Sequence, residues 1–238
     1  MSTGTLYGIG VGPGDPELVT VKATRILGRV DVVFAASSTR NDASLAAQIV
    51  SPYLGNGIPV RLLGFPMTRE SRCLKAAWRE NGRQVLDVLK NGKDAAFVTL
   101  GDPTTYSTFG YTSGVIREEA PEVRIEVVPG ITSYQAATAA TGCSLAEAEE
   151  SFTVVSGALG AERLRKVIHH TDNVVILKVY RNFKEIRETL DELGLGSQAV
   201  LVSRCGLEGE EITYDLKNYP DKTPPYLSLL LVKKKGRA

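Results

Sequence analysis

The chain is poor in the residues that build metal sites and disulfide frameworks. Its 238 residues include two histidines, three cysteines, two methionines and one tryptophan. The histidines are neighbours, His169 and His170, and Cys73, Cys143 and Cys205 lie far apart with no C-x-x-C pair. Structural zinc needs four closely spaced thiolate or imidazole ligands, so no metal is expected. An odd, scattered set of cysteines reads as buried thiols in a reducing cytosol. Net charge is nearly absent as well: 28 Lys and Arg against 27 Asp and Glu leave +1. Such a balance gives no global field towards nucleic acid or an anionic membrane. No apolar run approaches the ~20 residues of a membrane helix. The stretch from Leu227 to Val232, for example, is short and broken by Ser228. Met1-Ser2-Thr3-Gly4 has neither the basic start nor the apolar stretch of a secretory leader, so a soluble cytoplasmic protein is expected. Two nucleotide signatures are missing too. There is no G-x-x-x-x-G-K-[ST], and G-x-G-x-x-G fails because its last position is Pro13 counted from Gly8 and Asp15 counted from Gly10.

What is present suffices for a core: 43% hydrophobic and 23% charged residues exclude a disordered chain. Apolar runs of strand length alternate with helical patterns, which predicts an α/β fold. Strands are expected over 5–11, 31–35, 60–63, 95–100 and 124–128. Helices are expected over 17–29, 44–53, 71–90, 110–119 and 132–141. In the first of these Leu18, Val21, Ile26 and Leu27 should face inward. Within 71–90, Leu74, Trp78, Val85 and Leu89 share a helical period, which makes Trp78 a core residue. The second half reads as strands at 154–155, 174–179 and 199–203, with helices at 162–170 and 183–193. Its tail, 210–214 and 226–232, looks like strands without helices between them, so a mixed sheet with antiparallel pairing is expected. The chain therefore divides into two α/β domains, 1–120 and 121–238, with a hinge in 132–151.

Three loops stand where strands should stop: Gly8 to Pro16, Leu100 to Thr108, and Val128 to Ser133. Glycine lets backbone approach a ligand closely, and ligands of open α/β sheets settle beyond the carboxyl ends of strands. Each loop alone is ordinary turn chemistry, with Ser107 or Thr108 as a helix cap. Three in one domain predict a small-molecule site.

The run Tyr7-Gly8-Ile9-Gly10-Val11-Gly12-Pro13-Gly14-Asp15-Pro16-Glu17-Leu18 resembles the opening signature of the tetrapyrrole methylases. Gly101-Asp102-Pro103 and Pro129-Gly130-Ile131-Thr132-Ser133 are similar to that family's other two landmarks. Tyr106-Ser107-Thr108-Phe109 resembles the branch that methylates C20 of precorrin-2 or cobalt-factor II in cobalamin synthesis. The resemblance implies a class III methylase fold, mainly parallel in its first domain and mixed in its second, with S-adenosylmethionine in the cleft between them and a homodimer as the assembly. By motif, Pro13, Gly101, Asp102, Pro103, Tyr106, Ser107 and Thr108 would face the cofactor, joined by Thr132 and Ser133. From the second domain, Val179, Tyr180, Cys205, Tyr226 and Leu227 would contact adenosine.

Methyl transfer from a sulfonium is an in-line displacement, so alignment carries most of the catalysis. A base is needed only to remove a proton afterwards; Asp15, Asp102, Tyr106, His169 and His170 qualify by residue type alone. Asp102 reads better as a cofactor-binding or structural carboxylate, and the histidines as a solvated helix end. The carboxylates of a tetrapyrrole call for local cations, for which Arg40, Arg69, Arg72, Arg181 and Arg204 are candidates. Lys233-Lys234-Lys235-Gly236-Arg237 reads as a solvated end rather than an RNA patch, and no nucleic acid or membrane partner is expected. Alternatives remain at this level. They are a relative acting on another precorrin position, on rRNA or on a modified histidine of an elongation factor, a nicotinamide-dependent oxidoreductase, and a non-catalytic tetrapyrrole carrier. Cobalt-loaded and metal-free rings are not distinguished by any residue.

Overall fold

The computed structural model describes residues 3–38, 43–68 and 70–234. Arg40, Arg69 and the end of the basic run lie outside the described residues. The chain forms two compact units, Met1–Thr132 and Ser133–Ala238.

The first unit is built on five parallel strands: β1 (Leu6–Gly10), β2 (Val32–Ser38), β3 (Val60–Phe65), β4 (Ala95–Thr99) and β5 (Ile125–Val128). Their order in the sheet is β3-β2-β4-β1-β5. Because β5 pairs with β1, with Leu6 opposite Ile125, the division between units falls after Thr132 rather than near residue 120. Side chains alternate across the sheet. Tyr7, Ile9, Val33 and Val98 pack beneath α1 (Val21–Leu27) and α2 (Leu45–Val50). Leu6, Phe34 and Phe97 pack on the other face, beneath α3 (Ser71–Lys90) and α4 (Phe109–Glu119). β1 and β4 are buried along their whole length, which is why they read as unbroken apolar runs.

Three local expectations change. The helix expected from Glu17 starts later: Pro16–Leu18 is a single 3-10 turn capped by Asp15, and α1 begins after Thr20, whose hydroxyl accepts from the Ala23 amide at 3.2 Å. Val21 thus sits in the open first turn, 64% exposed rather than inward. Trp78 is half-buried, not core, and stacks on Tyr111. The thiols are not uniformly buried: Cys73 is exposed on α3, Cys143 is half-buried and Cys205 is buried.

The second unit begins with α5 (Ser133–Thr141). Its sheet holds β6 (Phe152–Ser156), β7 (Asn173–Leu177), β8 (Ala199–Ser203), β9 (Glu211–Thr213) and β10 (Ser228–Lys233), in the order β6-β7-β10-β8-β9. β6 and β7 are parallel, whereas β10 runs antiparallel to both β7 and β8. α6 (Glu162–Val167) and α7 (Phe183–Glu192) complete the unit. Leu164, Phe183, Ile186 and Leu190 from these helices meet Val174, Ile176, Leu201 and Leu230 of the sheet. The segment expected as a hinge is tied into this unit. Asn173 donates to the Leu145 carbonyl and to Glu150, both at 3.0 Å, and Lys233 pairs with Glu147 at 2.5 Å. Among the described residues no helix is long and apolar enough to cross a membrane.

Candidate active site

β1, β4 and β5 are parallel neighbours, so their carboxyl ends emerge on one edge and their loops must share it. They do so by direct backbone contact. Gly12 and Gly101 exchange amide hydrogen bonds across loops, at 2.8 and 3.3 Å, each with positive φ (+78° and +66°). A Cβ on Gly10 would stand 2.6 Å from both the Gly101 oxygen and the Gly130 nitrogen. No side chain fits there, so Gly10, Gly101 and Gly130 form a backbone-only hub at the strand ends.

Asp102 fastens this hub. One carboxylate oxygen accepts from the amide of Thr104 at 2.8 Å and from its hydroxyl; the other accepts from the Gly130 amide at 3.0 Å. Burial pushes its carboxyl up, but the three bonds outweigh that and hold it below the ordinary carboxylate value. A carboxylate so held is a poor proton acceptor near neutrality. Its first oxygen is saturated and its second keeps one lone pair. Ser107 is likewise engaged: its hydroxyl donates to Thr99 at 3.0 Å and accepts from the Phe109 amide at 3.1 Å, joining the end of β4 to the start of α4. Pro13, Pro103 and Thr132 are buried, while Gly101, Ser107, Thr108 and Ser133 are half-buried. Tyr106 is held at φ +51° and is 54% exposed, so it projects from the edge. Thr108 occupies the cap position of α4 without a side-chain capping bond. Asp15 is a cap, accepting from the Glu17 amide at 2.8 Å.

A family model described as Tetrapyrrole (Corrin/Porphyrin) Methylases matches residues 5–217. The chain belongs to this family. It is 35% identical over 232 residues to the cobalt-precorrin-2 C(20)-methyltransferase of Salmonella typhimurium, a match covering 97% of each chain. It is 31% identical over 243 residues to a precorrin-2 C(20)-methyltransferase of Sinorhizobium, covering 98% of this chain and 96% of that one. A uroporphyrin-III C-methyl transferase of Thermus thermophilus, solved as a complex with S-adenyl homocysteine, shares the fold with a TM-score of 0.70. That match has 24% identity and covers 97% of this chain and 92% of that one.

In the second unit of this tetrapyrrole methylase the remaining expected positions come together at one sheet end. β10 runs against β7 and β8, so its start lies beside their ends. Tyr180 and Tyr226 meet edge to face at 4.9 Å, and the Arg204 amide donates to the Leu227 carbonyl at 2.7 Å. Tyr226 is 61% exposed and Leu227 half-buried. Val179 differs from its neighbours in having a buried side chain. The strand stops at Leu177, Lys178 turns the chain at φ +58°, and the Val179 side chain is wholly in the core, leaving only its backbone for a ligand. The two arginines expected here are used locally, Arg181 on the Tyr180 hydroxyl and Arg204 on the Glu208 carbonyl, both at 2.7 Å. His169 and His170 are exposed in the turn that ends α6.

Cys205 is buried, and burial together with the neighbouring Glu210 carboxylate pushes its thiol up to about 11. At about pH 8 its thiolate fraction is then roughly a hundredfold below that of an ordinary cysteine. In a variant whose only cysteines are Cys73 and Cys205, a disulfide reagent should titrate Cys73 first and reach Cys205 only on unfolding. Equal rates in the folded protein would contradict that environment.

Gly10, Gly130 and Thr104 are not singled out by sequence as site residues, although Gly10 and Gly130 lie where the loops meet and Thr104 holds Asp102 within its own loop. The available signal was the recurrence of glycine within two residues of three strand ends.

Proposed function

We propose that this tetrapyrrole methylase transfers a methyl group from S-adenosylmethionine to C20 of a reduced tetrapyrrole, precorrin-2 or its cobalt-loaded counterpart, in cobalamin synthesis. The observation that carries this reading is the end-to-end match, 97% of each chain, to an enzyme named for that reaction. The cobalt-loaded ring is favoured: the two relatives named for it are 35% and 34% identical, against 31% for the metal-free one. The reading includes a cytoplasmic homodimer with no nucleic acid or membrane partner.

The residues fit the cofactor by their chemistry. The first unit offers main-chain amides and carbonyls at the glycine hub and hydroxyls at Ser107, Thr108 and Thr132, with Ser133 next in the chain at the start of the second, which suit an amino-acid moiety and a ribose. The second offers the Tyr180 and Tyr226 rings and the Leu227 backbone, which suit an adenine. When bound, the cofactor supplies a methyl already activated on a sulfonium. The chain's own task is alignment: the hub fixes three loops at once, and near-attack geometry can be worth several kcal/mol. In the reaction the methyl–sulfur bond breaks, a carbon–carbon bond forms at C20 and a proton leaves that carbon. Asp102, held in its loop bonds, is assigned to positioning rather than to taking that proton.

Anaerobic incubation of the purified protein with S-adenosylmethionine and each ring separately should add one methyl mass to the cobalt-loaded ring. No gain on either ring would defeat the C20 reading. S-Adenosylmethionine alone should raise the unfolding temperature, because it binds only the folded state. A protein stabilised by tetrapyrrole alone would be a carrier instead.

A further inference from the structure

We infer that the first two turns of α3, together with Tyr111, form a ledge that seats the tetrapyrrole ring. This rests on the methylase reading above and names the surface that takes its substrate. Twenty residues make α3 about 30 Å long, whereas a six-residue strand such as β3 spans about 20 Å. The two are level near the end of β3, where Asn81 donates to the Gly64 carbonyl at 3.0 Å. Everything in α3 before Asn81 therefore overshoots the strand on the side where the loops emerge, by about 15 Å. The burial pattern agrees: no residue in 71–80 is buried, whereas Asn81, Gly82, Val85, Leu86, Val88 and Leu89 are.

The overshooting turns keep the inward stripe of the helix but have no sheet opposite it. Leu74, Lys75 and Trp78 share that stripe at spacings of four and three. Trp78 lies flat on Tyr111, with ring centroids 4.1 Å apart and planes 2° from parallel, and Tyr111 stays 49% exposed. Tyr111 stands in the first turn of α4, directly after the loop that carries Asp102 and Tyr106, so the stacked pair and that loop belong to one unit. Arg72 and Lys75 are exposed beside it, and among the described residues neither has a carboxylate within ion-pair distance. A flat aromatic surface flanked by unpaired cations matches one chemistry closely: a flat, largely apolar macrocycle rimmed by carboxylates.

Steady-state kinetics with the cobalt-loaded ring test this. Trp78→Leu and Tyr111→Leu should each raise KM for the ring about tenfold while leaving kcat, S-adenosylmethionine affinity and unfolding temperature near wild type. Trp78→Phe should restore most of the loss. The paired change Arg72→Gln with Lys75→Gln should raise the same KM, by a factor that shrinks with added salt. A KM for the ring within twofold of wild type in Trp78→Leu overturns the proposal. So does an equal loss of S-adenosylmethionine affinity, or a change of oligomeric state in sedimentation, which would make the ledge a seat for a second copy. If the wild type methylates neither ring, the C20 reading fails separately. The ledge is then judged by binding of uroporphyrin, a carboxylate-rimmed porphyrin. Tenfold weaker binding to Trp78→Leu supports the ledge, and equal binding removes it.

Discussion

Gly130→Ala should lose S-adenosylmethionine binding by at least about a hundredfold and unfold several degrees below wild type. The new Cβ would stand 2.7 Å from the carbonyl carbon and Cα of Gly10, and closer still to the Gly101 oxygen. These are backbone atoms of two other loops, so no side-chain rotation relieves the overlap; a strand end must move. Overpacking of this kind costs about 1–3 kcal/mol, and the upper end applies where three main chains meet. For a chain of this size that is a fall of roughly 6–12 °C in Tm. A similar energy withdrawn from cofactor alignment is a factor of about a hundred in Kd. Gly114→Ala is the control. It lies within α4, its Cβ meets nothing within 4 Å, and alanine should stabilise that helix by up to about 1 kcal/mol. Calorimetry and cofactor titration on the two variants decide the matter. A Gly130→Ala protein with wild-type Kd and Tm would mean the hub is slack and carries no alignment.

The hub was legible in outline because its causes are local. The parallel strands read as apolar runs, and each of the three has a glycine at its end or two residues beyond it: Gly10, Gly101 and Gly130. The mixed second sheet was legible from its tail, where strands follow one another without helices. Other features depend on partners remote in sequence. Nothing near Asp102 in sequence announces that the Gly130 amide, 28 residues on, takes its second oxygen. Periodicity gave Trp78 its face but could not tell that the sheet ends before reaching it. The apolar run through Val179 conceals the left-handed turn at Lys178, a conformation that sequence assigns to glycine or asparagine before lysine. Asp15 and Thr20 are both good caps, five residues apart, and only the structure shows that the helix proper follows Thr20.

Asp102→Asn should separate the two roles a carboxylate can play at this position. The two carboxylate oxygens face donors only: the Thr104 amide and hydroxyl on one side, the Gly130 amide on the other. An asparagine has one acceptor and one donor end, so in either orientation an N–H confronts an N–H. A buried amide left unpartnered costs about 1–3 kcal/mol, and hydrogen bonds to a charged acceptor are at the strong end of the range. The third loop should loosen from the second, with S-adenosylmethionine affinity and kcat falling together by up to about a hundredfold. The pH dependence of stability tests those bonds. The folded carboxyl is held below its unfolded value, so its contribution is complete at neutral pH. It is lost as pH falls from the ordinary carboxylate value through the lowered one. The stability gap between wild type and Asp102→Asn should therefore be constant near neutrality and close in acid. Between about pH 6 and about pH 9 a positioning residue lowers the rate by one factor throughout, leaving the shape of the profile unchanged. A general base, fully ionised over that range, would instead lower kcat alone and leave cofactor affinity unchanged. A variant that keeps cofactor affinity and stability yet loses kcat would make Asp102 the proton acceptor and overturn its assignment to the loops.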